Sequence, residues 1–444
     1  MPLDNENMDR RRQRREEAKK KQRAQQRRLV SLLVVAGLVL MGCGIVIYRI
    51  ASKTPESQPV SAVATTEATE AATESTEPTS VRQARNPITK IHIRAVGDLN
   101  ITNSVVDSGI VATGYDYTRA FQDVAAELGV ADVTVMNIEG NFCGEPYGSQ
   151  TASAPQELLT YLKSAGVDLI QMANSFSVQN GIIGLSASLN AIRSAGMEPL
   201  GAYATAADFH KTKGYTICEV QGVKVAFVAF TKGVGGMGMP AGSEECVNLL
   251  YEDYNSNYTK IDRKRITSIL KDVKAEKPDI TVAMLHWGSV NNDEISKTQE
   301  SIVSLMQKNG VDVIIGTHPH LVQKIDLDQK TGKLVAYSLG DFYGDATLGG
   351  SNYSILLDIE VTKDEDLKTT KVTNFSYIPI YTLKESEGDG YRRVVRINEA
   401  MAAYEGNYVD KISSTAYSQM EYSLTRIEAR IHGKTEDTDK TTKK

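Results

Sequence analysis

The feature that most constrains this chain is an apolar run near its start. Residues 29–48 are 20 consecutive residues without a charged side chain. As a helix rising about 1.5 Å per residue, the run matches the roughly 30 Å hydrocarbon core of a bilayer. A cleavable signal peptide is the competing interpretation, but it expects a shorter apolar region closed promptly by small residues, and the nearest such site, at 62–64, lies well beyond the run. We therefore predict a retained transmembrane helix at 29–48.

The charges around this run predict its orientation. Residues 1–28 contain eleven Lys or Arg and five Asp or Glu, a net charge of +6, whereas only Arg49 and Lys53 follow the run closely. The positive-inside rule then places the tail in the cytoplasm and the C-terminal mass outside. A nucleic-acid patch is the alternative for the basic tail, but its position against an apolar helix favours topology and contact with anionic lipid.

The rest of the chain is acidic. Because the whole chain carries −5, the residues after 28 carry −11. Nucleic acid is therefore not expected as a partner, since phosphate backbones are bound through clustered Lys and Arg. Outside the apolar run the cysteines are Cys143, Cys218 and Cys246, and three cannot all pair with one another. Burial of apolar side chains, rather than a disulfide framework, must stabilise the exported part.

Composition divides the chain into segments. A stretch dominated by Ala, Thr, Ser, Glu and Pro has almost nothing large and apolar to bury, which is typical of a disordered stalk. The last residues are wholly polar. The predicted segments are a basic cytoplasmic tail at 1–28, a transmembrane helix at 29–48, a stalk at 51–86, an α/β domain at 88–396, a helical segment at 397–433 and a disordered tail at 434–444.

Within 88–396, short β-branched runs alternate with longer amphipathic stretches, which predicts a layered α/β domain. Later strands lie closer together along the chain, which predicts an antiparallel portion. Strands are predicted at 91–96, 132–137, 168–172, 223–230, 280–285, 311–316, 334–339 and 353–361. The clearest helices, several followed by a glycine as a C-cap signal, are predicted at 117–128, 156–164, 184–194, 262–275 and 297–308.

Polar side chains recur directly after these strands. Ligand sites of α/β sheets collect outside the carboxyl ends of strands, so these side chains are expected to converge on one crevice. Singly, each has a plainer explanation: Asp98 is equally suited to capping a turn, Glu139 to a solvated loop, and His286 to the core beside the single Trp. The pair His318 and His320 is more specific, because a proline holds two imidazoles on one stiff turn. Imidazole with carboxylate suits Zn, Fe or Mn.

The order of the motifs carries more information than any one of them. GD, NIEG, AN, HWG, GTHPH and YSLGDF follow one another on this strand spacing, between about residues 91 and 381. In this order they resemble the CapA family of bacterial poly-γ-glutamate capsule proteins. The resemblance implies a calcineurin-like metallophosphatase fold, an α/β fold with a layered β-sandwich flanked by helices. It also implies tethering at the cell surface, and work with membrane synthase subunits in synthesis or export of an anionic polymer.

The resemblance further implies a centre that holds one or two divalent ions, of Mn, Fe or Zn. In that superfamily two ions activate a water and stabilise the attacking and leaving oxygens of a phosphoryl displacement. The residues that the resemblance makes metal ligands are Asp98, Glu139, Asn174, His286, His318 and His320.

Departures from the family pattern leave catalysis open. Phe176 stands where the family has a His that donates a proton, and Gln179 stands where it has an Asp. Phenylalanine cannot assist by proton transfer, which is typically worth about 10²–10⁴ in rate. Val290 and Thr317 likewise replace an acidic residue and a His, which weakens the second ion position. A shifted loop carrying Asp293 or Glu294 is one way to restore that position.

Three functions remain open on the sequence: a surface-anchored polymer-handling protein with a degenerate site, an active extracellular metallophosphoesterase, and a metal-free scaffold with the same fold. A charge of −11 repels a polyanion, so polymer binding requires a bridging cation or a local basic site. Arg392, Arg393 and Arg396 are the candidate basic site, and a solvated edge of the domain is the alternative for them.

Overall fold

The computed structural model describes residues 87–406 and 412–434, all within one compact unit, Arg82–Lys444. The predicted tail at 1–28, helix at 29–48, stalk at 51–86 and all but the first residue of the tail at 434–444 lie outside the described residues. Among the described helices, none combines the length and apolarity needed to cross a bilayer.

The described residues form fourteen strands and ten α-helices. The strands are β1 (Ile88–Asn100), β2 (Val133–Glu139), β3 (Leu169–Gln171), β4 (Glu198–Leu200), β5 (Tyr215–Val220), β6 (Val223–Thr231), β7 (Ile280–His286), β8 (Val313–Thr317), β9 (Ile325–Asp328), β10 (Lys333–Ala336), β11 (Asp341–Tyr343), β12 (Tyr353–Asp364), β13 (Thr369–Leu383) and β14 (Arg393–Arg396). The helices are α1 (Asn103–Asp107), α2 (Thr118–Phe121), α3 (Ala125–Gly129), α4 (Glu157–Ser164), α5 (Gly181–Ser194), α6 (Ala206–Thr212), α7 (Arg263–Ala275), α8 (Lys297–Lys308), α9 (Ile397–Glu405) and α10 (Ser414–Ile431).

The strands form two mixed sheets. The first runs in the order β14-β13-β12-β1-β2-β3-β4, with β11 also paired to β1, and the second in the order β5-β6-β7-β8-β10-β9. Strands β1 to β4 are parallel, as are β6, β7, β8 and β10, whereas β12, β13 and β14 are antiparallel. The antiparallel portion predicted from the shorter spacing is therefore confirmed.

The two sheets pack face to face, with helices outside. Alternate residues of β6 show this, because successive side chains of a strand point to opposite faces. Phe227 lies in the core that the two sheets share, whereas Phe230 lies in a separate core with Ile266 of α7 and Ile302 of α8. The leucines of α4 and α5 are buried in the same large core as the strands of the first sheet. The predicted α/β sandwich flanked by helices is confirmed for the described residues.

One predicted helix is wrong in detail. The stretch 117–128 forms two short helices, α2 and α3, because i→i−3 bonds from the N–H groups of Val124 and Glu127 to the carbonyls of Phe121 and Val124 tighten the chain between them. The predicted absence of a disulfide framework agrees with three free cysteines among the described residues.

The arginine cluster predicted as a basic site or a solvated edge is neither. Arg393 is 1% exposed and Arg392 is 8% exposed, because the end of the first sheet packs against the helices that precede β2. Each guanidinium faces a carboxylate, in the pairs Arg392–Glu385, Arg393–Asp123 and Arg396–Glu127, at 3.0 Å in each case. Charges neutralised in this way are not a docking site for a polyanion.

Candidate metal centre

Six acidic and imidazole side chains form two groups of three at one edge of the sheets. The first triad is Glu139, His286 and His318, and the second triad is Asp98, His320 and Asp341. Within each triad, one ligand atom per residue lies within 4.8 Å of the others. Glu139 and His286 lie 147 residues apart in the sequence, so only the fold brings them together.

Parallel strand ends bring these residues together. Asp98 near the end of β1 pairs in register with Asn137 of β2 and with Asp341 of β11, and Glu139 is the last residue of β2. In the second sheet, His286 ends β7 opposite Thr317, which ends β8. The carboxyl ends of parallel strands share one edge of a sheet, so the turns after β1, β2, β7 and β8 converge.

In the first triad, His286 is held between two partners. Its Nε2 lies 2.7 Å from Oε1 of Glu139, and its Nδ1 lies 3.1 Å from Oγ1 of Thr231. The Thr231 hydroxyl donates its proton to the carbonyl of Gly233 at 2.8 Å, so Nδ1 of His286 must donate to Thr231. This leaves the Nε2 lone pair of the neutral ring facing Glu139, where a proton or a cation has to lie between two acceptors.

In the second triad, Asp98 is the best-anchored carboxylate. It accepts a hydrogen bond from Nδ2 of Asn137 at 2.7 Å and another from the backbone N–H of His318 at 2.9 Å. Nδ1 of His320 lies 2.7 Å from Asp341 and 3.8 Å from Asp98. Asp98 therefore belongs to the second triad and also fixes the turn that carries a ligand of the first.

The donor set fits one or two divalent cations. Nδ1 of His318 is buried and has no hydrogen-bond partner among the described residues. A buried polar atom without a partner costs free energy, which a bound cation removes. The ring of His318 lies 4.4 Å from that of His286 and 5.9 Å from that of His320, centroid to centroid, so the two triads are adjacent.

The electrostatics of the cluster also favour bound cations. Burial and the charge of Glu139 raise the pKa of Asp98 to about 8. Burial alone would lower the pKa of His320, but its hydrogen bond to Asp341 and the surrounding carboxylates raise it to about 10. Burial and neighbouring imidazoles hold the pKa of His318 well below its ordinary value, so this ring is neutral and its lone pair is available. Carboxylates are thus in excess here, which cations relieve.

The turn that carries the two imidazoles is strained. His318 has φ +92° and His320 has φ +59°, in the left-handed region that residues with a Cβ rarely adopt. Such residues cost on the order of 1–3 kcal/mol each and cluster at functional sites. The hydrogen bond from the His318 N–H to Asp98 is part of what maintains this geometry.

Asn174 reaches the cluster through another amide. Its Nδ2 donates to Oδ1 of Asn137 at 3.1 Å and to the carbonyl of Ile138 at 2.7 Å, and Asn137 in turn donates to Asp98. Its Oδ1, the atom that would bind a cation, accepts the backbone N–H of Phe176 at 2.9 Å. In this arrangement Asn174 orients Asp98 by way of Asn137.

Asp341 is the residue that the ligand set drawn from the sequence left out. The signal was present, because Asp341 lies in the YSLGDF motif directly after a predicted strand. Asp293, suggested as a replacement ligand, instead lies 3.5 Å from Arg430 and 3.9 Å from Arg426 of α10. Glu294 is exposed and belongs to neither triad. The third carboxylate therefore comes from β11 and not from a shifted loop.

The contact between Thr231 and His286 allows a test of how the His286 ring is oriented. We expect Thr231→Val to lower cation affinity about 10–100-fold, the usual effect of removing a partner of a ligating imidazole. Thr231→Ser keeps the hydroxyl and is the matched control. Cation affinity measured by competition with a metallochromic chelator checks this, and equal affinities for the two variants would contradict the assigned tautomer.

The fold and the two triads define a class of protein: a mixed α/β sandwich with a carboxylate–imidazole cluster that fits divalent cations at the carboxyl ends of its parallel strands. Residues 92–346 match the family described as bacterial capsule synthesis protein PGA_cap, and the chain belongs to this family. The matched range includes all six residues of the two triads.

Two curated relatives are similar to part of the chain. The chain is 31% identical over 193 residues to the capsule biosynthesis protein CapA of Bacillus anthracis, covering 44% of each chain. It is 24% identical over 209 residues to the PGA biosynthesis protein CapA of Bacillus subtilis strain 168, covering 47% of this chain and 51% of that one. The matches thus span about half the length of these relatives.

Solved structures give a similarity in fold. The calcineurin-like phosphoesterase YfkN from Bacillus subtilis is 13% identical with a TM-score of 0.40, covering 77% of this chain and 100% of that one. A phosphatase from Mycoplasma pneumoniae is 16% identical with a TM-score of 0.39, covering 66% of this chain and 94% of that one.

Proposed function

We propose that this protein is a membrane-anchored, extracytoplasmic component of capsule polymer biosynthesis or export that holds divalent cations and handles an anionic polymer such as poly-γ-glutamate. The observation that carries the proposal is the pair of adjacent triads, with a buried imidazole nitrogen of His318 left without a partner. The apolar run at 29–48 and the basic tail at 1–28 support the anchor and its orientation.

Bound cations resolve the electrostatic objection to a polyanionic ligand. The domain is acidic, and the arginines near β14 are committed to carboxylates. Cations held by the two triads would supply local positive charge at the strand ends, and a polymer carboxylate can complete a coordination sphere that the protein leaves open. The protein's residues then serve to hold and orient the cations.

A polar cavity lies beside the centre. It has a volume of about 550 Å³ and begins one residue beyond His320, where Leu321 forms part of its lining. Tyr422 and Arg430 of α10 form the opposite wall, and the exposed loop around Leu348 forms its rim. Ligand sites are concave and combine apolar surface with a few placed polar groups, so this cavity is where a segment of polymer would lie.

The arrangement argues for binding rather than turnover. Phe176 follows β3 at the position where the family has its proton donor, and its backbone is tied to Asn174 and to Asn141. A phenyl ring cannot donate a proton. Asp293 does not restore the second ion position, because it faces α10. The alternative, an active metallophosphoesterase, is favoured by the adjacency of the two triads, since a pair of cations when bound would polarise a phosphoryl group and activate a water.

Metal analysis and polymer binding of the purified full-length protein test the proposal. We expect one or two divalent cations per chain, and binding of poly-γ-glutamate that is lost on chelation and restored by the cation. Protein that holds no cation would favour the metal-free scaffold. Polymer that is unchanged in a deletion strain, together with absence of binding, would rule out the proposal.

The phosphoesterase alternative has its own test. It expects phosphodiester cleavage by the Mn- or Fe-loaded protein that His318→Ala abolishes. A metal-loaded protein that is inert towards phosphodiesters, yet binds polymer, would favour the binding role.

A further inference from the structure

A lysine and a glycine-rich loop lie against the first triad and belong to neither triad. We propose that Lys232 and the glycine loop that follows it, residues 233–238, form an oxyanion-binding site beside the cations, which takes a phosphate or carboxylate group of the substrate. The proposal rests on the proposed cation-binding function and specifies the ligand chemistry of that site.

The fold places Lys232 next to the first triad. It follows the last residue of β6, Thr231, whose hydroxyl contacts His286. The backbone N–H of Lys232 donates to the carbonyl of His286 at 2.8 Å, and its Nζ donates to the carbonyl of Gly288 at 2.6 Å. The lysine is therefore bonded to His286 itself and to the chain two residues after it. Its positive charge adds to burial in lowering the pKa of both His286 and His318.

The charge of Lys232 is not neutralised by the described protein. The side chain is half buried, and no carboxylate of the described residues lies within 4.0 Å of its Nζ. Besides the Gly288 carbonyl, its contact is the ring of Tyr258, whose centroid lies 4.6 Å from Nζ. A lysine removed from water usually gains a counter-charge. Here the site is suited to accept an anion from outside.

The glycine loop offers backbone donors directly after this lysine in the chain. Val234 is 0% exposed, and its N–H has no acceptor among the described residues. Gly235 and Gly236 have φ +67° and +76°, and their N–H groups also lack acceptors within the described part of the chain. A Cβ on Gly235 would lie 2.9 Å from the carbonyl of Ser175, so the loop passes directly against the turn that carries Phe176. Backbone N–H groups of glycine-rich turns are common binding groups for anions.

Charge balance points to the same ligand class. With neutral imidazoles, the two triads carry the three carboxylates of Asp98, Glu139 and Asp341. Two divalent cations would leave this cluster with one excess positive charge, to which Lys232 adds another. A cationic lysine beside bound cations is repelled unless an anion lies near both, and an oxyanion of the substrate meets that requirement.

Titration of the full-length, Mn-loaded protein with inorganic phosphate, and separately with acetate, tests the proposal by calorimetry. We expect Lys232→Met to lower phosphate affinity about 10-fold or more, the scale of a lost charge-assisted hydrogen bond. The same change leaves cation affinity equal or higher, because it removes a repelling charge. Lys232→Arg retains part of the phosphate affinity, and Lys271→Met, on the exposed face of α7, behaves as wild type.

The outcomes separate this inference from the proposed function. Unchanged phosphate and acetate affinity in a folded, cation-loaded Lys232→Met protein would overturn the oxyanion site while the cation centre stands. An affinity loss for phosphate alone assigns the site to phosphoryl groups, and a loss for both ligands assigns it to oxyanions in general. If wild type binds no cation, the proposed function fails, and the titration of the cation-free protein decides whether Lys232 binds anions. If Lys232→Met does not fold, Lys232→Gln replaces it in the same titration.

Discussion

Asp98→Asn is expected to abolish cation binding while the domain remains folded. Asp98 is a member of the second triad and also accepts the backbone N–H of His318, which places a ligand of the first triad. The change removes the negative charge, so cation affinity should fall at least about 100-fold. Losing a hydrogen-bond partner of a metal ligand typically costs about 10–100-fold, and losing a ligand should cost at least as much. Elemental analysis after dialysis measures the loss.

The same variant separates binding from folding. Burial and the charge of Glu139 raise the pKa of Asp98 from 3.8 to about 8, so the ion-free fold loses stability as the pH rises above 3.8, and the full cost is reached above about pH 8. A neutral amide avoids this cost but has one acceptor oxygen for the two N–H donors of Asn137 and His318, so the thermal midpoint in chelator should stay close to that of wild type. Asp326→Asn, an exposed acid on β9, is the control and should keep its cation. Retention of a full cation complement by Asp98→Asn would remove Asp98 from the centre.

Gly97→Ala is expected to cause the largest loss of stability. A Cβ at this position would lie 2.0 Å from the carbonyl oxygen of Gly340 and 3.1 Å from Oγ of Ser354. The Gly340 carbonyl also accepts the N–H of Asp98, so it cannot move away without breaking the contact between β1 and β11. Overpacking of this kind typically costs about 3 kcal/mol or more when backbone must shift. Urea unfolding of the full-length protein measures the free-energy change.

The control for this variant is a glycine in open space. Gly349 has no heavy atom within 4 Å of an added Cβ, so Gly349→Ala should leave the free energy of unfolding unchanged. Because Gly97 precedes Asp98 and Gly340 precedes Asp341, Gly97→Ala should also lower cation affinity by separating the two carboxylates. Equal unfolding free energies for the two alanine variants would show that β1 and β11 are not as close as described.

Much of the centre follows from local sequence. The strands that carry Asp98, Glu139 and His286 are long β-branched runs. A strand of this kind can be predicted from its own residues, without knowing which strands pair with it. The turn with His318 and His320 was equally clear, because proline between two histidines fixes a rigid loop. By contrast, Asp341 lies on a strand of three residues that forms by pairing with β1. A pairing between distant segments cannot be predicted from a local pattern.

The departures from the family pattern show the same limit. The loss of a proton donor at Phe176 can be seen in the sequence, but the contacts of Asp293 cannot be predicted from it. Only the packing of α10 shows that Asp293 faces Arg430 at 3.5 Å instead of the two triads. The burial of Arg393 against Asp123 is similar, because the two residues lie 270 positions apart.

The sequence by itself predicted the layered α/β class and most strands and helices, because periodicity and residue chemistry are local properties. The resemblance carried by its motifs supplied five of the six residues in the two triads. Only the tertiary structure decided how the six residues divide into two triads, which carboxylate completes the second, and that Lys232 lies against the first. Each of these depends on pairings between strands far apart in the chain, and contact between distant residues is set by the whole fold rather than by any one segment.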